Sequence, residues 1–405
     1  MSPLSSQLLR GIFLKNLLSG LVALYPAKHY FPCVFTIDMT TLPNTDDYLA
    51  LFLRDTPMMD VRAPVEAVRG SFPNSVNHPL LDNEQRKLIG IRYKQQGESK
   101  AVQLGLELAT PDIREQRHQA WSEFCKTNPQ GYLYCFRGGL RSRTTQQWLK
   151  ERGIHYPLVT GGYKAMRRFL IDELEVSLQN LNFVSITGPT GSGKTRLLKR
   201  LQHHVDFEGL ANHRGSAFGR NPTDTQPSNI DWENSVSIAM LKHRHTNPKA
   251  TIFIEDESKL IGRVCMAQNV EAMCKRVPLV LLEETMEMRV TMTREDYIDN
   301  LWPEYQALYS EHAEEKFSTY VLGALSRIKK RLGGLRYSQL NRDFELALKE
   351  LYQHHSSDGF SAGIEILLSD YYDPMYQYQR SHREDKIIFR GTRNEVLDWA
   401  KQKAK

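Results

Sequence analysis

Two short stretches carry residue types at spacings that do chemistry. The first is Cys135-Phe-Arg137-Gly138-Gly139-Leu-Arg141-Ser142. Two adjacent glycines let a loop turn its backbone N–H groups inward around a sulfur. A following helix N-terminus and the guanidinium groups of Arg137 and Arg141 add positive potential. Such surroundings favour a thiolate and hold an anion against it. The implied chemistry is sulfur-centred: a thiolate that accepts a sulfur or selenium atom and carries it. The competing reading is a buried cysteine at a strand end, which is what most free cysteines are. Cys33, Cys125, Cys265 and Cys274 lack the Gly-Gly and double-Arg context and read as structural.

The second stretch is Gly188-Pro-Thr-Gly191-Ser192-Gly193-Lys194-Thr195, which fits G-x-x-x-x-G-K-[ST] throughout. It follows the apolar run Asn182 to Thr187 and precedes the basic run Arg196 to Gln202, the strand–loop–helix setting the motif requires. Backbone N–H groups of such a loop wrap a phosphate, Lys194 adds a point charge, and Thr195 could hold Mg²⁺. An acidic partner for the metal belongs at a strand end, where Ile252-Phe-Ile-Glu255-Asp256-Glu257 supplies three acids, Glu255 and Asp256 being the candidates. A solvated strand end is the alternative for those acids. ATP is the default ligand of the motif, and a diphosphate leaving group fits the loop as well. No kinase lid or arginine finger is evident. Arg289 and Arg294 lie past the apolar run Pro278 to Leu282 and read more readily as surface residues.

Two further clusters are charged. His213-Arg214-Gly215-Ser216-Ala-Phe218-Gly219-Arg220 combines cations, glycines and one aromatic, which suits a loop around a phosphorylated substrate; a basic turn is the alternative. From Lys316 to Arg342 there are seven cations and no acid. Arg327, Lys330 and Arg331 share one helical face, beside Lys329, with Tyr320 and Tyr337 interleaved. That pattern suits an RNA phosphate backbone, or else a solvated helix face.

These residues need elements to position them. Short apolar runs at Pro57 to Arg62, Gly131 to Phe136, Ile154 to Val159, Leu181 to Thr187, Thr251 to Ile254 and Pro278 to Leu282 read as buried parallel strands. Helical stretches alternate with them, and that alternation gives an α/β fold. A boundary is expected between Arg168 and Leu181, in a helical connection free of Pro and Gly. Tyr297 to Tyr352 reads as mostly helical, broken at Gly333-Gly334. A final αβ piece covers Ile364 to Leu368 and Lys386 to Lys403.

The chain of 405 residues suggests two or three domains at about 150 residues each. It is 40% hydrophobic and 25% charged, which excludes collagen-like and wholly disordered chains. No 18-residue apolar stretch occurs, so no membrane-spanning helix is expected. The net charge of +6 is compatible with an anionic partner. Five cysteines, few and odd in number, fit a reducing cytosol, so the expected location is cytoplasmic. Residues 1–38 form an N-terminal extension with three readings: a chain that properly starts at Met39, a helical extension, or a weak signal peptide built on Ile12 to Leu24.

Around Cys135 the sequence resembles a rhodanese domain over most of residues 44–170. The matching pieces are Asp60-Val-Arg62-Ala-Pro64-Val-Glu66, Gly70-Ser-Phe-Pro73-Asn-Ser-Val-Asn-His78-Pro79, the cysteine loop, and Thr160-Gly161-Gly162-Tyr163. By that resemblance Asp60 and Arg62 brace the loop from a neighbouring strand, and residues 86–120 are a charged, Gln-rich insertion. The order of a rhodanese-like domain, a P-loop, His-Arg-Gly-Ser-Ala-Phe-Gly and Ile-Phe-Ile-Glu-Asp-Glu-Ser resembles the bacterial tRNA 2-selenouridine synthase family over about residues 40–400. The resemblance implies a rhodanese-like domain (44–170) followed by a P-loop NTPase-like parallel-sheet domain (181–400) with helical additions and a basic part that contacts tRNA.

It also implies two reactions at the wobble uridine of tRNA: S-geranylation of 2-thiouridine by geranyl diphosphate, then replacement of the S-geranyl group by selenium from selenophosphate. Cys135 would carry the selenium as an S-selanyl group, with Arg137, Gly138, Gly139 and Arg141 holding the anion. No tightly bound cofactor is expected, and the phosphate loop is compatible with Mg²⁺; tRNA and a selenophosphate-producing enzyme are the implied partners. Two other classes are compatible with the motifs: an ATP-dependent tRNA sulfurtransferase, and a non-catalytic regulator in which Cys135 would be dispensable.

Overall fold

Short apolar runs meet as two parallel sheets in the computed structural model, which describes residues 42–216, 218–222 and 225–403. The three readings of residues 1–38 fall outside these residues. In the first sheet β1 (Met58–Asp60), β2 (Ser75–Asn77) and β3 (Tyr132–Tyr134) lie in the order β2-β1-β3, all parallel. β1 is buried along its length, as a strand covered on both faces requires. The run from Ile154 to Val159 contributes only isolated bridges, Leu133 to Leu158 and Thr45 to Val159. Pro157 has no N–H for a ladder, and its carbonyl accepts from Leu133 N–H.

Helices α1 (Asn83–Leu108), α2 (Pro111–Thr127) and α3 (Leu140–Glu151) belong to this half. α1 starts at a reciprocal cap between Asp82 and Gln85 and is broken into two arms at Gly97, whose φ is 81°. The charged insertion is therefore helical. Trp121, Leu133, Cys135, Trp148 and Leu149 share the core beneath these helices.

α4 (Gly162–Asn180) runs unbroken through the expected connection and ends one residue before the second sheet. Its buried stripe, Met166, Leu170, Leu174 and Ser177, recurs every three or four residues. α6 (Asn229–Thr246), which belongs to the second half, packs along it. Ser237 donates to Leu170 O at 2.6 Å, and Arg167 reaches Asn234 at 2.8 Å and Glu233 at 2.6 Å. From the first half, Ser71 N–H and Oγ both donate to Asp231, at 2.5 and 3.2 Å.

The second sheet comprises β4 (Asn182–Thr187), β5 (His204–Val205), β6 (Thr251–Glu255), β7 (Leu279–Leu282) and β8 (Ile387–Gly391), in the order β8-β7-β4-β6-β5 and all parallel. After the phosphate loop, α5 (Lys194–Leu198) is shorter than the basic run to Gln202 suggested. β2 and β5 were not expected; each has three residues or fewer, too short for a periodic signal. A helical layer follows β7. There α7 (Ala313–Leu332) and α8 (Gly334–His354) break at Gly333, φ 89°, and bury Phe317, Val321, Leu325, Leu340, Phe344 and Leu348. Ile364 to Leu368 is part of this layer, not of a sheet. Phe360, Ile364 and Leu367 recur at helical spacing and are all buried there. Among the described residues no helix is long and apolar enough to cross a membrane.

Candidate functional site

The cysteine loop leaves β3 at Tyr134 and enters α3 at Leu140, with Gly139 as the helix cap. Cys135 is 3% exposed and packs with Leu133 and Trp148. The Thr160-Gly161-Gly162-Tyr163 turn closes the loop from behind. Tyr163 N–H donates to Cys135 O and Lys164 N–H to Phe136 O, both at 2.9 Å. A β-carbon on Gly162 would lie 2.3 Å from Cys135 O and 2.5 Å from Gly138 N, and φ there is 59°. Only glycine lets the two loops approach this closely.

The two arginines of the loop part company. Arg137 is exposed. Arg141 instead donates to both carboxylate oxygens of Glu66, at 2.6 and 3.2 Å, and Arg86 reaches the same carboxylate at 3.1 Å. Burial pushes the Glu66 carboxyl up, but the Arg141 hydrogen bonds and the Arg141 and Arg86 charges hold it below its ordinary value. Asp60 and Arg62 form a buried ion pair at 2.6 Å, each 1% exposed. Arg62 also donates to Gly70 O at 2.8 Å and lies 3.9 Å from the centre of the Tyr163 ring. The pair braces the Gly161-Gly162 side of the loop without needing solvent.

At the end of β4 the chain forms the phosphate loop, across which Lys194 Nζ donates to Gly188 O at 3.0 Å. A cleft of about 400 Å³ opens beside it, lined by Thr195, Glu208, His213, Arg214, Asn221 and Asp296. The fold thus brings the His213 cluster to the mouth of the loop. Within the cluster, Gly215 N–H donates to His213 Nδ1 at 3.0 Å and Phe218 N–H to Ser216 Oγ at 3.1 Å. Arg214 donates to Asp296 O at 2.6 Å. Arg289 is no surface residue: it is buried, donates to Thr190 O at 2.9 Å, and grips Asp373 at 2.6 and 2.9 Å.

The acids sort differently from their order in sequence. Glu255, the last residue of β6, is fully buried, and neither carboxylate oxygen has a hydrogen-bond partner. It offers one oxygen within 4.8 Å of oxygens from Glu208 and Glu257. Thr195 Oγ1 donates to Glu208 at 3.3 Å. Asp256 points elsewhere, accepting from Thr187 at 2.9 Å and from Arg383 at 2.6 Å. Burial, aided by the Glu257 charge, raises Glu208 to about 9. Burial also raises Glu255 and Glu257, each further raised by a neighbouring carboxylate, while the Lys194 charge opposes all three shifts.

Glu208 was missed by sequence reasoning. Its signal is an acid just upstream of the His213 cluster, and a β-carbon on Gly215 would sit 1.6 Å from its Oε1. Three hard oxygen donors beside Thr195 suit a divalent cation, and the unpartnered oxygens of Glu255 are what such an ion would satisfy. The residues present therefore fit Mg²⁺.

On α7, Arg327, Lys329, Lys330 and Arg331 are all exposed, alternating with buried Ile328 and Leu332. Lys329 Nζ lies 4.7 Å from the centre of the Tyr337 ring. Tyr320 is not interleaved with these cations; it is buried and donates to Phe218 O at 2.5 Å.

A parallel sheet whose β4 ends in a phosphate loop, with a buried acid closing the adjacent β6, defines a P-loop α/β protein. A family model described as the tRNA 2-selenouridine synthase AAA domain matches residues 181–405. A tRNA 2-selenouridine synthase of Marinobacter nauticus is 49% identical over 90% of this chain and 99% of its own. Enzymes of the same name from Alcanivorax borkumensis and Pseudomonas fluorescens are 48% and 45% identical, over 87% and 88% of this chain and 97% and 98% of theirs. The chain belongs to the tRNA 2-selenouridine synthase family.

Proposed function

We propose that this enzyme converts 2-thiouridine at the wobble position of tRNA to 2-selenouridine in two steps, one at each loop. In the first step the thiocarbonyl sulfur attacks C1 of geranyl diphosphate; a C–S bond forms, the allylic C–O bond breaks, and diphosphate leaves. The Gly188 to Thr195 loop receives that diphosphate. Its N–H groups and Lys194 stabilise charge that grows as the C–O bond lengthens. His213 and Arg214 line the cleft beside it, and Ser216 lines the void next to Thr190 of the loop. Mg²⁺, when bound, supplies further positive charge to the leaving group, held by Glu208, Glu255, Glu257 and Thr195. Arg289 keeps the loop in place through Thr190.

In the second step a C2–Se bond forms as the C2–S bond breaks, and geranyl thiolate leaves. S-alkylation makes this departure feasible, because an unmodified thiocarbonyl sulfur is a poor leaving group. The selenium of selenophosphate, held at Cys135 in a rhodanese-like half spanning about residues 44–170, attacks C2, and water then cleaves the Se–P bond and releases phosphate. Arg137 is the exposed cation for the donor, and Gly138 and Gly139 give the loop its turn. The basic end of α7 meets the tRNA backbone, and a selenophosphate-producing enzyme is the matching partner in the cytoplasm.

The observation that carries this reading is the presence of both loops in one chain of this family. Mass spectrometry of tRNA nucleosides tests it. Cells lacking the chain should lose 2-selenouridine and S-geranyl-2-thiouridine together and regain both on complementation. Retention of both nucleosides would refute the reading, and tRNA-dependent ATP turnover by the pure protein would favour a sulfurtransferase instead.

A further inference from the structure

An apolar cavity of about 280 Å³ adjoins the start of the cysteine loop's helix. Leu81, Ile89, Val102, Leu106, Leu140 and Trp148 line most of it. Both arms of α1, folded at Gly97, form its walls, and α3 closes it. Leu140 directly follows Gly139 of the loop and is 52% exposed, an apolar side chain in an otherwise basic stretch. Leu81, Ile89 and Trp148 also belong to the apolar cluster that contains Cys135, so the cavity is continuous with the packing around the thiol.

Polar groups at the cavity include two cations and one acid. Arg141 and Arg117 line it, with Glu98 and Thr144. Arg117 donates to Gln85 at 2.5 Å through Nη2, while its Nη1 is buried without a hydrogen-bond partner. Arg137, two residues before Gly139 of the same loop, is exposed, and Arg86 and Arg141 share the Glu66 carboxylate. An apolar hollow with Arg117 and Arg141 at its edge fits a hydrocarbon chain that arrives attached to a polyanion. An apolar cavity of about 150 Å³ accepts benzene, so one nearly twice as large holds a chain of roughly ten carbons. The apolar void beside Thr190 of the phosphate loop is only about 30 Å³.

We infer that this cavity binds the prenyl chain of the S-alkylated tRNA, anchoring the intermediate so that its C2 faces the cysteine loop. The inference rests on the two-step reading above and adds to it the subsite that distinguishes alkylated from unalkylated tRNA. It commits to the chain carried by the RNA, not to the free diphosphate donor.

The test uses the full chain and two anticodon stem-loops, one bearing S-geranyl-2-thiouridine and one bearing 2-thiouridine. Wild type should prefer the geranylated form by about tenfold or more, since burying even two methylenes yields that factor. Gly105→Leu fills the cavity from α1, and Leu106→Glu places a charge on its exposed wall. Each should bring the preference to within about twofold while leaving affinity for the 2-thiouridine form unchanged. KM for geranyl diphosphate should not move in either variant.

A preference that survives both substitutions overturns the inference, as does an equal weakening of both RNAs, which would mark a backbone contact. A raised KM for geranyl diphosphate would assign the cavity to the donor and overturn it too. A wild-type chain that forms S-geranyl-2-thiouridine yet shows no preference defeats the cavity alone. One that forms none defeats the functional reading itself.

Discussion

Glu66 and Glu208 are two carboxylates pushed in opposite directions. The Glu66 carboxylate is held by Arg141 and Arg86 below its ordinary value. A carboxyl with a depressed folded pKa stabilises the fold above its unfolded value near 4.3, and that contribution is lost as pH falls through the folded pKa. Glu66→Gln should therefore lower unfolding free energy by about 1–2 kcal/mol at pH 7, with the gap closing below about pH 4. Urea denaturation at both pH values measures this, and a gap that persists in acid would show that Glu66 acts by packing alone. Glu208 is crowded by Glu255 and Glu257. Glu208, raised to about 9, carries no charge at pH 7 in the metal-free protein, so the isosteric Glu208→Gln should melt no lower than wild type. Its affinity for Mn²⁺, read by calorimetry, should fall about 10- to 100-fold. Unchanged affinity would mean that the trio holds no ion.

At the scale of elements, the Gly161-Gly162 turn and the end of α7 do different work. Gly162→Ala would press a β-carbon against Cys135 O at a positive φ. It should cost about 2–4 kcal/mol and disturb the cysteine loop while sparing the phosphate loop. Equal loss of both partial reactions would instead indicate global unfolding. Lys329, Lys330 and Arg331 stand exposed on α7, so charge reversal to Glu should weaken tRNA binding. It should also flatten the salt dependence by roughly one unit for each phosphate that is no longer neutralised. Wild-type affinity in the triple mutant would make this a solvated face.

The elements that carry chemistry were legible in the sequence because apolar β4, β6 and β7 flank motifs with fixed spacing. Ile364 to Leu368 was harder. Five apolar-rich residues suit strand or helix, and only Phe360 four residues upstream reveals the period. Glu208 was hidden for another reason. Its place just upstream of the His213 cluster gains meaning only once the fold sets β5 beside β6. Tyr320 misled for the same reason, since exposure is decided by the helix packed against it.

For the molecule as a whole, α4 and α6 tie the half that holds Cys135 to the half that holds Lys194, through Arg167, Ser237 and the bonds from Ser71 to Asp231. On the proposed reading one tRNA visits two loops with separate chemistry, and that division is its central claim. The direct measurement is nucleoside mass spectrometry of 2-thiouridine tRNA incubated with geranyl diphosphate, selenophosphate and each of two variants. Cys135→Ala should accumulate S-geranyl-2-thiouridine and form no 2-selenouridine, while Lys194→Ala should form no S-geranyl nucleoside. Failure of folded, tRNA-binding Cys135→Ala to geranylate would contradict the account.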